Sequence, residues 1–191
     1  MHINRIAVIT VGKTHSGKTT FAKVLENRLG NAIVVDQDTH AEILQSYYPA
    51  LIPKEGPNTI KFAFTKTIVD HAVDQTDCHI ILSNANRNRQ GRLKLLDFYR
   101  AKGFTTVLVH FDIADEILGA RIDQAGRSTA ILRTISSFKD VLARQQAESV
   151  DNPGVIPTPG EADYLFSVAN EQQAEAAILA IKEIAARGNG A

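Results

Sequence analysis

The stretch VGKTHSGKTT, Val11 to Thr20, decides how the rest of the chain is read. Gly12, Gly17, Lys18 and Thr19 satisfy the spacing G-x-x-x-x-G-K-[ST], with the apolar run Ile6 to Val11 before it and the helically spaced FAKVLENRL after it. Glycines let backbone bend around a phosphate and aim its N–H groups inward, while the start of the following helix adds unpaired amides and a positive dipole end. On this pattern the loop Gly12, Lys13, Thr14, His15, Ser16, Gly17, Lys18, Thr19 and Thr20 surrounds nucleotide phosphates. The Lys18 ammonium falls on the β and γ phosphates and the Thr19 hydroxyl on a bridging Mg²⁺. A glycine-rich turn that caps a helix and binds nothing is the competing reading, and the strand-loop-helix context speaks against it.

Outward from the loop, the same alternation continues. Short apolar runs rich in Ile, Val and Leu recur at Arg5 to Val11, Ala32 to Val35, His79 to Leu82, Thr105 to Phe111 and Tyr164 to Val168, as expected of strands covered on both faces. Between them, helical spacing covers Lys18 to Leu29, Thr39 to Tyr47, Ile60 to Val73, Gln90 to Lys102, Ala114 to Ile122, 131–149 and Glu171 to Ala186. Strands alternating with helices predict a doubly wound α/β fold, a mostly parallel sheet with helices on both faces. Two stretches interrupt the alternation: the proline-rich SYYPALIPKEGPN, Ser46 to Asn58, and DQAGRSTAILRT, residues 123–134, which is read as a small lid. Both follow carboxyl ends of strands or lie in crossovers, where α/β proteins place ligands.

The 191 residues, 44% of them hydrophobic, suffice for one well-filled core, so residues 1–187 are read as one domain and 188–191 as a tail. Lys plus Arg and Asp plus Glu balance at 21 each, which leaves no global charge for wrapping nucleic acid or coating an anionic membrane. A lone cysteine, Cys78, forms no disulfide framework, no histidine spacing suggests zinc, and nothing resembles a secretion signal or a membrane span. These features predict a cytoplasmic protein. They set no oligomeric state.

A phosphate loop serves switches, motors and kinases alike, so other residues must choose. The base-reading motif of a GTPase is missing, since Thr65-Lys66 continues into Thr67-Ile68, and Asp123-Gln124-Ala125-Gly126 follows a helical stretch instead of a strand. AIVVDQDTH ends the second strand with Asp36 and Asp38, which an extended segment points the same way. One carboxylate near Mg²⁺ can hold its water ligands, and another can accept the proton of an attacking hydroxyl. A helix cap at Asp38 with Asp36 solvated is the plainer alternative. After the third strand, Asn86, Arg87, Arg89 and Arg92 open a leucine helix, and of these Asn86 and Arg92 are taken as groups for a phosphate or hydroxyl of the acceptor. Arg121, Arg127 and Arg133 surround the lid, where arginines can close over phosphates and exclude water. Tyr47, Tyr48, Phe62 and Phe64 flank the acceptor side, either stacking on an acceptor or packing in the core.

GKTHSGKT, VVDQDTH, IILSNANRNRQGRLKLL and VHFDIADEILGARI, in this order, resemble the small P-loop kinases of the polynucleotide-kinase type and their zeta-toxin and shikimate- or gluconate-kinase-like relatives. The resemblance spans Arg5 to about residue 133. It implies ATP and Mg²⁺, a five-stranded parallel sheet in a three-layer α/β/α sandwich with kinase-type strand order, and phosphorylation of a hydroxyl. It makes Lys18 and Thr19 the phosphate and Mg²⁺ residues, Asp38 the base, Asp36 a carboxylate on the Mg²⁺ side, and Arg127 a lid arginine; Arg121, ahead of the lid, is taken as a nucleotide-binding residue. Two departures stand out: Ser83 occupies the third-strand position where such relatives often carry Asp, and His40 the position, two after the base, where they tend to carry Arg. The second makes a polynucleotide 5′ end a less comfortable acceptor than a small metabolite, nucleoside or nucleotide. A nucleotide-binding ATPase or regulator that transfers nothing is the remaining alternative.

Overall fold

Five apolar segments form one all-parallel sheet, because each is apolar on both faces and each is followed by a helix that carries the chain back to the same edge. The structure is a computed structural model and describes residues 4–126, 129, 132 and 137–187. The strands are β1 (Ile6–Gly12), β2 (Ala32–Val35), β3 (His79–Leu82), β4 (Thr105–Phe111) and β5 (Tyr164–Val168), in spatial order β2-β3-β1-β4-β5. Strand β1 is central and wholly buried, with Val8 level with Ile81 on one side and Val107 on the other.

Among the described residues seven helices flank the sheet: α1 (Lys18–Leu29), α2 (Gln37–Tyr47), α3 (Thr59–Gln75), α4 (Arg89–Ala101), α5 (Asp115–Gln124), α6 (Phe138–Asp151) and α7 (Glu171–Ala186). Val8, Ile81 and Val107 pack with Phe21 and Leu25 of α1, Leu118 of α5 and Ile178 and Ile181 of α7. On the opposite face Ile9, Leu82 and Leu108 pack with Val73 of α3 and Leu96 and Tyr99 of α4. Successive residues of β1 thus feed opposite cores, and the sandwich has three layers. The chain leaves β1 toward β2 on one side and returns past it to β4 on the other, so the carboxyl end of β1 is where a crevice opens.

Most helix ends fall within two residues of the sequence reading. The helix expected over 131–149 is the exception. Ser137 is extended (φ −145°, ψ 159°) and its hydroxyl accepts the Asp140 N–H, so α6 starts at Phe138. Arg127 and Arg133 lie outside the described residues, as does much of the segment read as a lid.

Candidate functional site

At the end of β1, Gly12 donates its N–H to Ala85 O, and a Cβ there would meet Phe111 Cβ at 2.9 Å and Phe111 O at 3.0 Å. That close approach between strands, more than flexibility, is what requires glycine at this position. Gly17 (φ 95°) then turns the chain into α1 through the left-handed region. No side chain caps α1 and its first turn holds no acidic residue, so its leading amides open on a cavity of about 910 Å³ lined by residues Thr14 to Thr20. Such a helix start presents free N–H groups and a positive dipole end, the features that favour an anion.

The two loop lysines have different duties. Lys18 folds back across the loop and donates to Lys13 O and to Ser16 Oγ (3.1 Å). Lys13 is ion-paired to Asp115 in the first turn of α5. The cavity wall begins at Thr14, and Gly12 and Lys13, also read as nucleotide contacts, lie off it.

Behind the loop, Thr19 Oγ1 donates to Asp36 Oδ2 (3.1 Å), and Ser83 Oγ approaches Thr19 Oγ1 at 3.4 Å. Asp36 is buried at 6% exposure, and its other oxygen accepts the Asp38 N–H at 2.9 Å. This corrects the picture of two carboxylates side by side on an extended strand. The chain turns into α2 at Asp36, which is the helix cap, and Asp38 in the first turn reaches the cavity wall. Asp36 therefore faces Thr19 and not an acceptor. The set Thr19, Asp36 and Ser83 is all oxygen, the donor type that Mg²⁺ takes. Asp36 supplies the charge that Ser83 cannot.

His40, one helical turn past the cap, is buried against α3, with Nδ1 2.8 Å from Thr65 Oγ1 and its ring edge-on to Phe64. Burial pushes its pKa below the ordinary histidine value, with Asp36 opposing and Lys61 adding to the shift. Phe64 belongs to this packing, whereas Phe62, half exposed, lines the cavity.

The arginines that follow β3 turn inward. Arg92 is 1% exposed, makes a fork to both Glu161 oxygens (2.7 and 3.1 Å), and donates to the carbonyls of Asn86, Arg87 and Gly154. Burial works against ionisation of Glu161, but Arg92 and Thr158 hold its carboxyl below the usual range. Arg87 is buried too, bonded to Glu148, Ser149 and Gln145 O of α6. Asn86, in the left-handed region at φ 44°, gives its amide to Thr10 O (2.9 Å) and Asn84 O. The expected acceptor contacts of Asn86 and Arg92 are thus corrected to structural ones: every such donor is engaged inside the protein, off the cavity wall.

Helix α6, most of which falls in the stretch 123–147 expected to shape the acceptor side, forms a wall of the site. Gln145 Oε1 accepts the Thr14 N–H at 2.7 Å, Phe138 meets the His15 ring edge-on at 4.9 Å, and Arg144 lines the cavity. With Arg87 fastening α6 to the end of β3, the phosphate loop is braced from the acceptor-side loop. Arg121 lies on the cavity wall, where its Nη1 donates to His15 O at 3.2 Å. Lys61, on the first turn of α3, was unmarked in the sequence, since a lysine three residues after a cap looks like any surface lysine. No helix among the described residues is long and apolar enough to cross a membrane.

A family model described as an AAA domain matches residues 8–147. No curated protein matches the sequence at a significant level. Among solved structures, shikimate kinase from Bacteroides thetaiotaomicron superposes with a TM-score of 0.55 at 15% identity, over 94% of this chain and 97% of its own. The Mycobacterium tuberculosis APS kinase CysC, solved with AMPPNP and APS, gives 0.55 at 17% identity over 95% and 99%. Chaetomium thermophilum Kti12, solved with ADP-AlF3, gives 0.60 at 17% over 93% and 97%. At these identities the likeness is one of fold, the fold of the P-loop kinases that the sequence resembles.

Proposed function

We propose that this chain, which belongs to the AAA domain family, is an ATP-dependent phosphotransferase that moves the γ-phosphate of ATP to a hydroxyl of a small metabolite, nucleoside or nucleotide. The observation that carries the reading is the relay Thr19–Asp36–Asp38, which puts one buried carboxylate against the loop hydroxyl and a second carboxylate on the wall of the same cavity.

In this reading the uncapped start of α1 and Lys18 hold the phosphates, and Thr19 with Asp36 would hold Mg²⁺, directly or through its waters. A metal ion held by these residues would supply charge neutralisation to the phosphates. Asp38 accepts the proton of the acceptor hydroxyl as its oxygen bonds to the γ phosphorus. The bond from that phosphorus to the β–γ bridging oxygen breaks, leaving ADP and a phosphorylated acceptor. Arg121 and Arg144 face the developing charge from α5 and α6, and Arg127 is assigned the same task from the lid. The shikimate and APS kinases among the structures of like fold support small acceptors. A polynucleotide end loses its best support, because Arg87 and Arg92 are buried in ion pairs with Glu148 and Glu161.

A screen of pooled hydroxyl compounds for acceptor-dependent ADP release tests the reading. Release only when an acceptor is present supports transfer. Full-rate ATP hydrolysis that no pool alters refutes it.

A further inference from the structure

Among the described residues four cationic side chains line the cavity, Lys18, Lys61, Arg121 and Arg144, and one of them stands apart. Arg121 is bonded to the phosphate loop at His15 O, and Arg144 sits next to Gln145, which is bonded to the Thr14 N–H, so both belong to the phosphate end. Lys61 lines the same cavity from α3. Its place is fixed by helix packing: His40 of α2 bonds Thr65 of α3, and Lys61, four residues earlier on the same face of α3, is carried toward the first turn of α2, where Asp38 lies. Among the described residues Lys61 has no carboxylate partner within ion-pair distance.

The surroundings of Lys61 suit an anion attached to a carbon skeleton. Asn58 caps α3 by accepting the Lys61 N–H at 3.1 Å, so the positive end of a long helix faces the same space. Phe62, 49% exposed, lines the cavity beside it, and the Lys61 ammonium lies over its ring, 5.1 Å from the centroid. Among the described residues the acids on the cavity wall are Asp38, at the start of α2, and Glu171, which begins α7. A hydroxyl presented to Asp38 therefore has a cation and an aromatic ring beyond it.

Building on the proposed phosphotransfer, we propose that the acceptor is a hydroxylated organic anion, whose carboxylate or phosphate is held by Lys61 and whose carbon skeleton lies between Lys61 and Asp38, beside Phe62. Lys61 is then the residue that sets acceptor specificity and has no part in holding ATP. The shared chemistry is a hydroxyl compound with its own negative group, whether a hydroxy acid or a nucleoside monophosphate.

The test is equilibrium binding of matched pairs to the full chain loaded with AMPPNP and Mg²⁺: glycerate against glycerol, gluconate against glucose, shikimate against its methyl ester, and uridine monophosphate against uridine. In at least one pair the anion should bind tenfold or more tightly than its neutral partner. Lys61→Met should erase that preference, Lys61→Arg should retain most of it, and neither should change AMPPNP affinity by more than twofold, which also reports an intact fold. Equal binding of charged and neutral members, absence of binding by every anion, or weakened AMPPNP in both Lys61 variants overturns the proposal. Failure of the phosphotransfer reading looks different: the anion binds in a Lys61-dependent way, yet no phosphate ever reaches it.

Discussion

Asp36→Asn and Asp36→Ala separate two duties that one carboxylate performs. As the α2 cap, Asp36 accepts the Asp38 N–H, and as the partner of Thr19 it accepts the hydroxyl hydrogen. Removing a cap costs about 0.5–2 kcal/mol, and removing a hydrogen bond to a charged acceptor roughly 1.5–3 kcal/mol. In a chain of this size a kilocalorie moves the melting temperature by about 2–4 °C, so Asp36→Ala should lower it by roughly 5–15 °C. Asparagine caps helices as well as aspartate does, and its amide can donate to Thr19 Oγ1, so Asp36→Asn should lose no more than about 1 kcal/mol. Its effect falls instead on the metal. The negative charge is gone and the Thr19 lone pair that Mg²⁺ needs is turned to the amide, which at about 1.4 kcal/mol or more raises the half-saturating Mg²⁺ concentration at least tenfold. Thermal unfolding and AMPPNP binding across a Mg²⁺ titration read the two effects separately, with binding in chelator unchanged. An Asp36→Asn protein with normal Mg²⁺ dependence, or an Asp36→Ala protein as stable as the parent, would refute the reasoning.

Gly12→Ala should abolish AMPPNP binding and destabilise by about 1–3 kcal/mol in denaturant titration, because its Cβ would sit 2.9 Å from that of Phe111. Glu161→Ala should cost about 3–5 kcal/mol by the same measure, since it strands the buried Arg92 charge, and nucleotide affinity in the surviving folded protein should hold. Gln145→Leu leaves the Thr14 N–H without its acceptor, and calorimetry should show AMPPNP bound about five- to a hundredfold more weakly. His40 and His79 are both buried with depressed pKa values, and His79 Nδ1 accepts the Ile6 N–H, which requires the neutral ring. Below about pH 6.5 the unfolded chain takes up protons that these folded histidines refuse, so stability should fall with acidity down to their depressed values. His79→Gln should flatten that slope in melting temperature against pH.

Strand identity was readable because parallel strands buried on both faces are short unbroken runs of branched apolar residues, and Ala32 to Val35 and His79 to Leu82 are bounded by turn residues on both sides. The loop was readable because glycine, lysine and threonine at fixed spacing answer one geometric demand. Arg92 misled because its side chain is chemically right for an acceptor and its burial depends on Glu161, 69 residues away on the far side of β4. The start of α6 misled because apolar spacing runs back past Ser137, while a single hydroxyl on Asp140 N sets the boundary. Lys61, Arg144 and Gln145 carried no local signal. Their role comes from helix packing, α3 on α2 through His40 and Thr65 and α6 on the loop through Gln145 and Arg87.

The partition of the γ-phosphate tests the central claim most directly. With γ-labelled ATP and an acceptor identified by screening, the label should appear covalently on the acceptor, with little as free phosphate. Asp38→Asn should reduce that transfer by about two orders of magnitude or more while AMPPNP affinity stays within twofold. Label released wholly as inorganic phosphate, at a rate indifferent to acceptor and to Asp38→Asn, would contradict it.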